Sequence, residues 1–159
     1  MERIRFKRIN VTDVYMTILT EQVVTNEAGW SAMQPVDRNL KPTGSLVFDA
    51  VARAWASDCT LSPAELAEAM GLKIRTLCDL FQVFTGLTTQ EFHLRYRLRR
   101  LGEWLKYTDE PLKAIAQHCG FASVTAMGRH FKLQTQMTLV QYRRKFRPAN
   151  FRDLYRWQA

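Results

Sequence analysis

Two stretches of this chain are copies of one another. Residues 66–92 read LAEAMGLKIRTLCDLFQVFTGLTTQEF, and residues 115–142 read IAQHCGFASVTAMGRHFKLQTQMTLVQY. Leu66-Ala67 and Gly71-Leu72 match Ile115-Ala116 and Gly120-Phe121. Phe81-Gln82 and Thr85-Gly86-Leu87-Thr88 match Phe131-Lys132 and Thr135-Gln136-Met137-Thr138, and Glu91-Phe92 matches Gln141-Tyr142. The spacing from Gly to Phe differs by one residue, while the spacing from that Phe to the closing aromatic is conserved between the copies. A duplicated supersecondary unit is the economical explanation, and it obliges the chain to build the same small fold twice.

Each copy reads as helix, Gly turn, helix. A short helix, residues 63–70 or 112–119, ends at a Gly suited to the left-handed conformation of a helix C-terminus. A second helix follows within a few residues. Two helices on a short Gly-containing turn are the helix-turn-helix pattern, whose second helix enters the DNA major groove; the same pattern also describes a plain helical hairpin. Two copies in register, separated by an Arg-rich helix, favour DNA.

That separating helix is the stretch 88–105, TTQEFHLRYRLRRLGEWL. Thr88 is a good N-cap, and Glu91 three residues on completes the signature of a capping box. Leu94, Leu98, Leu101 and Leu105 recur at helical spacing, and Arg95, Arg97, Arg99 and Arg100 decorate the other faces. Eighteen residues make a rod about 27 Å long.

The motifs over residues 45–147 resemble the AraC/XylS family of bacterial transcription regulators. They are E-L-A-x-x-x-G-L in the first copy, a central R-x-R-L, and D-E-P-L-x-x-I-A-x-x-x-G-F-x-S, R-x-F-K and Q-Y-R in the second. The resemblance implies an all-α fold with two helix-turn-helix units, about 62–84 and 110–133, joined by one linker helix. It also implies binding to double-stranded DNA at asymmetric sites in adjacent major grooves, whose turns lie about 34 Å apart. Outside the matched region stand a short N-terminal extension and linker, 1–44, and a basic aromatic tail, 148–159.

The resemblance also suggests which residues touch DNA. In the first recognition helix, about 74–84, Arg75, Cys78 and Asp79 match base-touching positions of relatives, with Lys73 and Thr76 beside them. Arg pairs twice with guanine and Asp accepts from cytosine N4, each good bidentate pair contributing about 1–3 kcal/mol of discrimination. Asp79 has two other readings, holding Arg75 one turn away or repelling phosphate. In the second recognition helix, 123–133, Val124, Thr125, Gly128 and Arg129 match base- or backbone-facing positions. Arg95, Arg99, Lys132, Arg143 and Arg144 are the candidate phosphate contacts.

The chain departs from the family pattern at several points. Lys73-Ile74 stands where relatives often begin the helix with Ser-Pro, and loss of a Ser cap costs about 1 kcal/mol. Gly128 brings no side chain, and a mid-helix Gly costs roughly 1 kcal/mol relative to Ala. Gln136 and Leu139 replace the Gly and Pro of the closing motif. These departures suggest a division of labour, in which the first unit reads sequence through Arg75 and the second holds phosphates through Lys132, Arg143 and Arg144.

Composition is consistent with this reading. The net charge is +8 and the isoelectric point near 9.8, which suits a polyanion. Residues 1–44 carry six Lys/Arg against five Asp/Glu, 45–105 seven against seven, and 106–159 ten against three. The second unit and tail therefore supply most of the attraction to phosphate. No run is apolar enough to span a membrane and no signal-peptide pattern follows Met1, so a cytosolic protein is expected, and the resemblance implies a bacterial one, on the nucleoid when bound. Cys59, Cys78 and Cys119 follow no metal-ligand spacing, and His118 beside Cys119 is only a weak hint of zinc. No cofactor is expected. No P-loop, nucleophile elbow or H-E-x-x-H is present, which argues against an enzyme.

Other features are read locally. Ile4 and Phe6 alternate with charge as in a short strand, and Val11 to Val23 carry helix-like spacing despite many β-branched residues. Residues 26–44 read as a loop. Ser45 caps a helix over 46–57 with Val47, Ala50, Val51 and Ala54 inward, Ser62 caps the next with Glu65 as its box partner, and Asp109 caps the helix opening Glu110-Pro111. Phe151, Tyr155 and Trp157 suggest a docked C-terminal helix.

The leading expectation is thus a sequence-specific DNA-binding regulator, an activator that contacts RNA polymerase. The alternative is a divergent relative that acts as a protein-interaction module on another regulator or polymerase. Residues 1–44 have two readings, padding of the DNA-binding domain, which is favoured, and a dimerisation or partner-docking element. A third reading, a DNA-repair enzyme, needs a reactive cysteine, for which Cys78 is the candidate.

Overall fold

The structure is a computed structural model and describes residues 7–158. The order of elements is α1 (Val11–Val14), β1 (Leu19–Thr25), β2 (Ser31–Pro35), α2 (Leu46–Ser57), α3 (Pro63–Ala69), α4 (Ile74–Thr85), α5 (Thr89–Tyr107), α6 (Leu112–His118), α7 (Val124–Thr135), α8 (Leu139–Phe146), α9 (Phe151–Leu154) and β3 (Tyr155–Trp157). Contacts divide the chain into two units. The first holds residues 7–16 and Leu40–Tyr96, and the second holds Thr17–Asn39 and residues 97–158.

In the first unit, α2 to α4 and the start of α5 enclose one aromatic core. Phe48, Trp55, Phe81, Phe92 and Tyr96 are all fully buried. Phe48 and Phe81 lie 4.9 Å apart, Trp55 and Tyr96 5.2 Å, and Phe81 meets Phe92 edge-on at 5.3 Å. Such offset and edge contacts contribute about 0.5–1.5 kcal/mol each beyond the area they bury. The most buried stripe of α2 is Phe48, Val51, Ala52 and Trp55; of the expected Val47, Ala50, Val51 and Ala54, Val51 lies in the core and Val47 and Ala54 pack against its margin. The two large rings at i and i+7 decide the orientation. His93 stacks on Trp55 at 4.8 Å and its Nε2 is 2.7 Å from the Cys59 carbonyl oxygen. The backbone N–H of Ile9 donates to the Phe84 carbonyl at 2.9 Å, which ties the segment before α1 to the end of α4.

The second unit repeats this plan. Trp104 stands before Ile115 and Gly120 at the same intervals that separate Trp55 from Leu66 and Gly71, so the duplication extends further back than the aligned copies. Trp104 is 2 % exposed and carries His118 stacked at 4.6 Å. Leu101, Leu105, Ile115, Met127 and Phe131 fill the surrounding core. Both short helices end in the same left-handed cap. Leu72 N–H reaches the Ala67 carbonyl at 2.9 Å across Gly71, and Phe121 N–H reaches that of Ala116 at 2.8 Å across Gly120.

The all-α expectation is corrected by a three-stranded antiparallel sheet in the second unit, ordered β2-β1-β3. Only Val11–Val14 of the expected 11–23 helix is helical, capped by a box between Asn10 and Asp13. The β-branched residues that follow favour extended chain over helix. Within the expected loop 26–44, Asn26 closes a tight turn, with Trp30 N–H on its side-chain oxygen at 3.0 Å and Gly29 at φ 85°, and β2 returns along β1. In the tail, only Phe151–Leu154 is helical, and Tyr155–Trp157 pairs with β1 instead. The strand suggested by Ile4 and Phe6 lies outside the described residues.

Two expected caps also differ. Thr88 Oγ1 accepts Glu91 N–H at 3.1 Å, but the Glu91 carboxylate is held by Arg95 at 3.1 Å. Helix α6 begins at Pro111 with no side-chain cap, because the Asp109 carboxylate is paired with Arg152. That guanidinium's hydrogen bond holds the Asp109 carboxyl below the usual carboxylate range. Ser45, Ser62 and Ser123 cap α2, α3 and α7 as their sequence positions suggest.

Candidate nucleic-acid interface

Helix α4 is seated by Leu77 and Phe81, both fully buried. Its opposite side carries Lys73, Arg75, Thr76 and Asp79, all exposed. Arg75 and Asp79 lie one turn apart, and among the described residues no hydrogen bond or ion pair joins them. The reading in which Asp79 holds Arg75 therefore has no contact behind it. Cys78 is half-buried and its Sγ accepts a hydrogen bond from Thr89 Oγ1 at 3.6 Å, so this thiol turns toward the start of α5. The helix starts at Lys73 with no side-chain cap, as its sequence implies.

Helix α7 is seated by Met127 and Phe131 and starts at Ser123, whose hydroxyl accepts Ala126 N–H at 3.0 Å. Thr125, Arg129 and Lys132 are exposed together, and Val124 is half-buried. Gly128 does not belong to this open side. A Cβ built on it would meet Leu139 of α8 at 3.5 Å. The open faces of the two helices correspond position by position: Arg75 to Thr125, Asp79 to Arg129, and Gln82 to Lys132. Gln82 and the next residue pair, Val83 and Leu133, were missed as surface candidates. Val83 and Leu133 are 75 % and 74 % exposed, and the signal that finds them is the repeat itself.

The candidate phosphate contacts separate into two kinds. Arg95 is exposed and paired with Glu91, and Arg99, Lys132 and Arg144 are exposed. Arg143 is turned inward. Its Nε donates to the Leu105 carbonyl at 3.3 Å, and its Nη2 donates to the carbonyls of Trp104 at 3.4 Å and Glu110 at 2.9 Å. These acceptors close the C-terminal end of α5 and the connection to α6, so Arg143 caps a helix end with its charge. Burial, then the neighbouring Arg147, lowers the Arg143 pKa. Arg147 itself donates to the Thr108 carbonyl at 3.1 Å and lies over the Phe151 ring at 4.6 Å. Arg144 and Arg147 border an open cleft of about 410 Å³ floored by Leu139, Val140 and Phe151. On the second-unit part of α5, Arg97 donates to the Gly120 carbonyl at 3.1 Å and lies over Phe121 at 4.6 Å.

Each unit carries a helix pair whose second helix is seated on the core with its polar side open, which is the form of a helix-turn-helix unit. A family model described as a helix-turn-helix domain matches residues 66–145, half of the chain. The chain belongs to the AraC/XylS family. It is an AraC-type DNA-binding domain of a transcription regulator.

Among curated relatives, the chain is 37% identical over 71 residues to the HTH-type transcriptional activator RhaS of Enterobacter sp. (strain 638), covering 43% of this chain and 26% of that protein. It is 36% identical over 83 residues to an uncharacterized HTH-type transcriptional regulator of Staphylococcus aureus (strain MSSA476), covering 52% of this chain and 11% of that protein. The chain thus spans about a quarter or less of the length of these relatives. Among solved structures, an AraC-type transcriptional regulator from Chromobacterium violaceum is 25% identical at a TM-score of 0.56, covering 62% of this chain and 89% of that one. The DNA-binding domain of AdpA, solved in complex with a target DNA, shares the fold at a TM-score of 0.58 and 24% identity, over 63% and 91% of the two chains. Among the described residues, no helix is long and apolar enough to cross a membrane, and no group of His, Cys, Asp and Glu could hold a metal ion.

Proposed function

We propose that the chain is a sequence-specific regulator that inserts α4 and α7 into adjacent major grooves of double-stranded DNA and activates transcription through RNA polymerase, on the nucleoid in the bacterial cytoplasm. The observation that carries the reading is the open side of α4. Arg75, Thr76 and Asp79 stand exposed over a helix fixed by Leu77 and Phe81. A guanidinium and a carboxylate one turn apart suit guanine and cytosine N4 on neighbouring base pairs. The Enterobacter relative is a transcriptional activator, which supports the direction of regulation.

The division of labour between the two units holds with Arg143, Cys78 and Gly128 withdrawn from the DNA-facing set. Helix α4 reads bases through Arg75 and Asp79, with Lys73 and Thr76 flanking. Helix α7 contributes Thr125 and Arg129 with Val124 at its start, and the phosphates are held by Lys132, Arg144, Arg95 and Arg99. Arg143, bonded to three carbonyls, positions the second unit, and Cys78 and Gly128 support their helices from the side.

The test is selection of DNA from a random pool by the purified chain at about 150 mM salt, where nonspecific phosphate binding is weak. Enrichment of an asymmetric motif spanning two adjacent major grooves is expected. Retention of unenriched, salt-sensitive DNA alone would overturn the reading.

A further inference from the structure

The second unit carries an appendage opposite in charge to the rest of it. Between Thr17 and Asp37 the chain holds Glu21, Glu27 and Asp37 and no Lys or Arg, although the whole chain has 23 of them. This segment forms the β1–β2 hairpin. A hairpin that touched DNA would need cations at its tip; this one presents Glu27 and the Trp30 ring, 76 % exposed.

The outer edge of β2 is open. In the sheet β1 is central, and among the described residues nothing pairs with the other side of β2. The ladder bonds Asn26 N–H to Trp30 O and Val36 N–H to Thr20 O, both at 2.9 Å, fix which residues face β1. With the register Val24 to Ala32 and Gln22 to Gln34, residues 30, 32, 34 and 36 face β1. Ser31 and Met33 therefore turn N–H and C=O to the free edge. Proteins usually guard such an edge with Lys, a bulge or Pro. Here Ser31, Ala32, Met33 and Gln34 are uncharged, the β1–β2 register is unbroken, and Pro35 stands only at the end. Glu27 precedes this edge in the chain and Asp37 follows it.

We propose that the β2 edge docks an extended, Lys/Arg-rich segment of a partner protein, which adds as a fourth strand. Its backbone pairs with Ser31 and Met33. Its cations meet Glu27 and Asp37, and one lies over the Trp30 indole. The partner is a basic polypeptide because the surface is acidic and apolar within a basic unit. The proposal goes beyond DNA recognition and does not depend on it.

The probe is a short synthetic peptide of alternating lysine and valine, added to the isotope-labelled full chain and followed by the amide signals of Ser31 to Gln34 and the Trp30 indole. Saturable shifts of these signals, confined to the segment from Glu27 to Asp37, are expected. Affinity should fall about tenfold or more in Glu27→Lys/Asp37→Lys and in Met33→Pro, which removes an edge N–H without touching the bonds to β1. Unchanged signals elsewhere in the second unit verify that the variants fold. The proposal is overturned if the peptide produces no shifts, if the same peptide with glutamate for lysine binds equally, or if the variants bind as the parent does. It is also overturned if duplex DNA shifts Trp30, or if sedimentation shows that a second copy occupies β2. Each of these outcomes is read separately from DNA selection, so the two proposals stand or fall independently.

Discussion

Gly86 and Gln136 occupy the same place in the two copies and adopt the same left-handed backbone, with φ 73° and 62°. Each ends a recognition helix, and each donates its N–H to the carbonyl one turn back, Gln82 at 3.0 Å and Lys132 at 2.8 Å. Gln136 is the one non-glycine residue with positive φ among those described. A side chain there costs about 1–2 kcal/mol of steric strain, offset in part by the chain entropy that Gly would lose. Gln136→Gly should therefore raise stability by about 0.5–1 kcal/mol, read as a higher urea midpoint with unchanged slope. Gly86→Gln should lower it by about 1 kcal/mol, with the flexible Arg8 guanidinium, 3.1 Å from the new Cβ, moving aside.

Arg143 and Arg144 are sequence neighbours with different tasks. Arg143→Ala leaves three carbonyls without a charged donor and should cost about 2–3 kcal/mol of stability. Arg144→Ala should leave the unfolding midpoint unchanged and reduce the slope of log affinity against log salt by about one. Denaturation and salt-dependent DNA titration of both variants separate these outcomes. If Arg143→Ala kept full stability and only flattened the salt slope, its inward role would be wrong.

Asp109 makes the second unit sensitive to acid. Its carboxyl is held below the ordinary value by Arg152, so the folded chain binds that proton less readily than the unfolded chain does. The pair's contribution is fully present above the unfolded pKa of about 3.9 and disappears as pH falls through the lower folded value. Both side chains are substantially exposed, 72% and 41%, so the contribution stays below about 1 kcal/mol. The difference in urea midpoint between the parent and Asp109→Asn should be present at neutral pH and shrink as pH falls below the ordinary carboxylate range.

The duplication and its local signals made most of this domain legible in sequence. Ser45, Ser62 and Ser123 cap the helices they precede, and Gly71 and Gly120 turn the chain left-handed, because these effects act within a few residues. What escaped depends on distant partners. Leu19 to Thr25 become a strand only because Ser31–Pro35 and Tyr155–Trp157 lie beside them. Arg143 reads as a surface cation until the end of α5 supplies its acceptors. Of the candidate positions on α4 and α7, Lys73, Arg75, Thr76, Asp79, Thr125 and Arg129 are exposed, because helical spacing from the buried Leu77, Phe81, Met127 and Phe131 places them on the open side. The inward turn of Cys78 and of Gly128 needed Thr89 and Leu139 in three dimensions.

The most direct test of the central claim compares DNA motifs selected by the parent, Arg75→Ala and Arg129→Ala under one salt condition. The division of labour predicts an asymmetric parent motif with one strict half. Arg75→Ala should lose discrimination in that half by about 1–3 kcal/mol per contacted base, and Arg129→Ala should leave it intact. Equal loss across the motif in both variants, or no parent motif to lose, would contradict it.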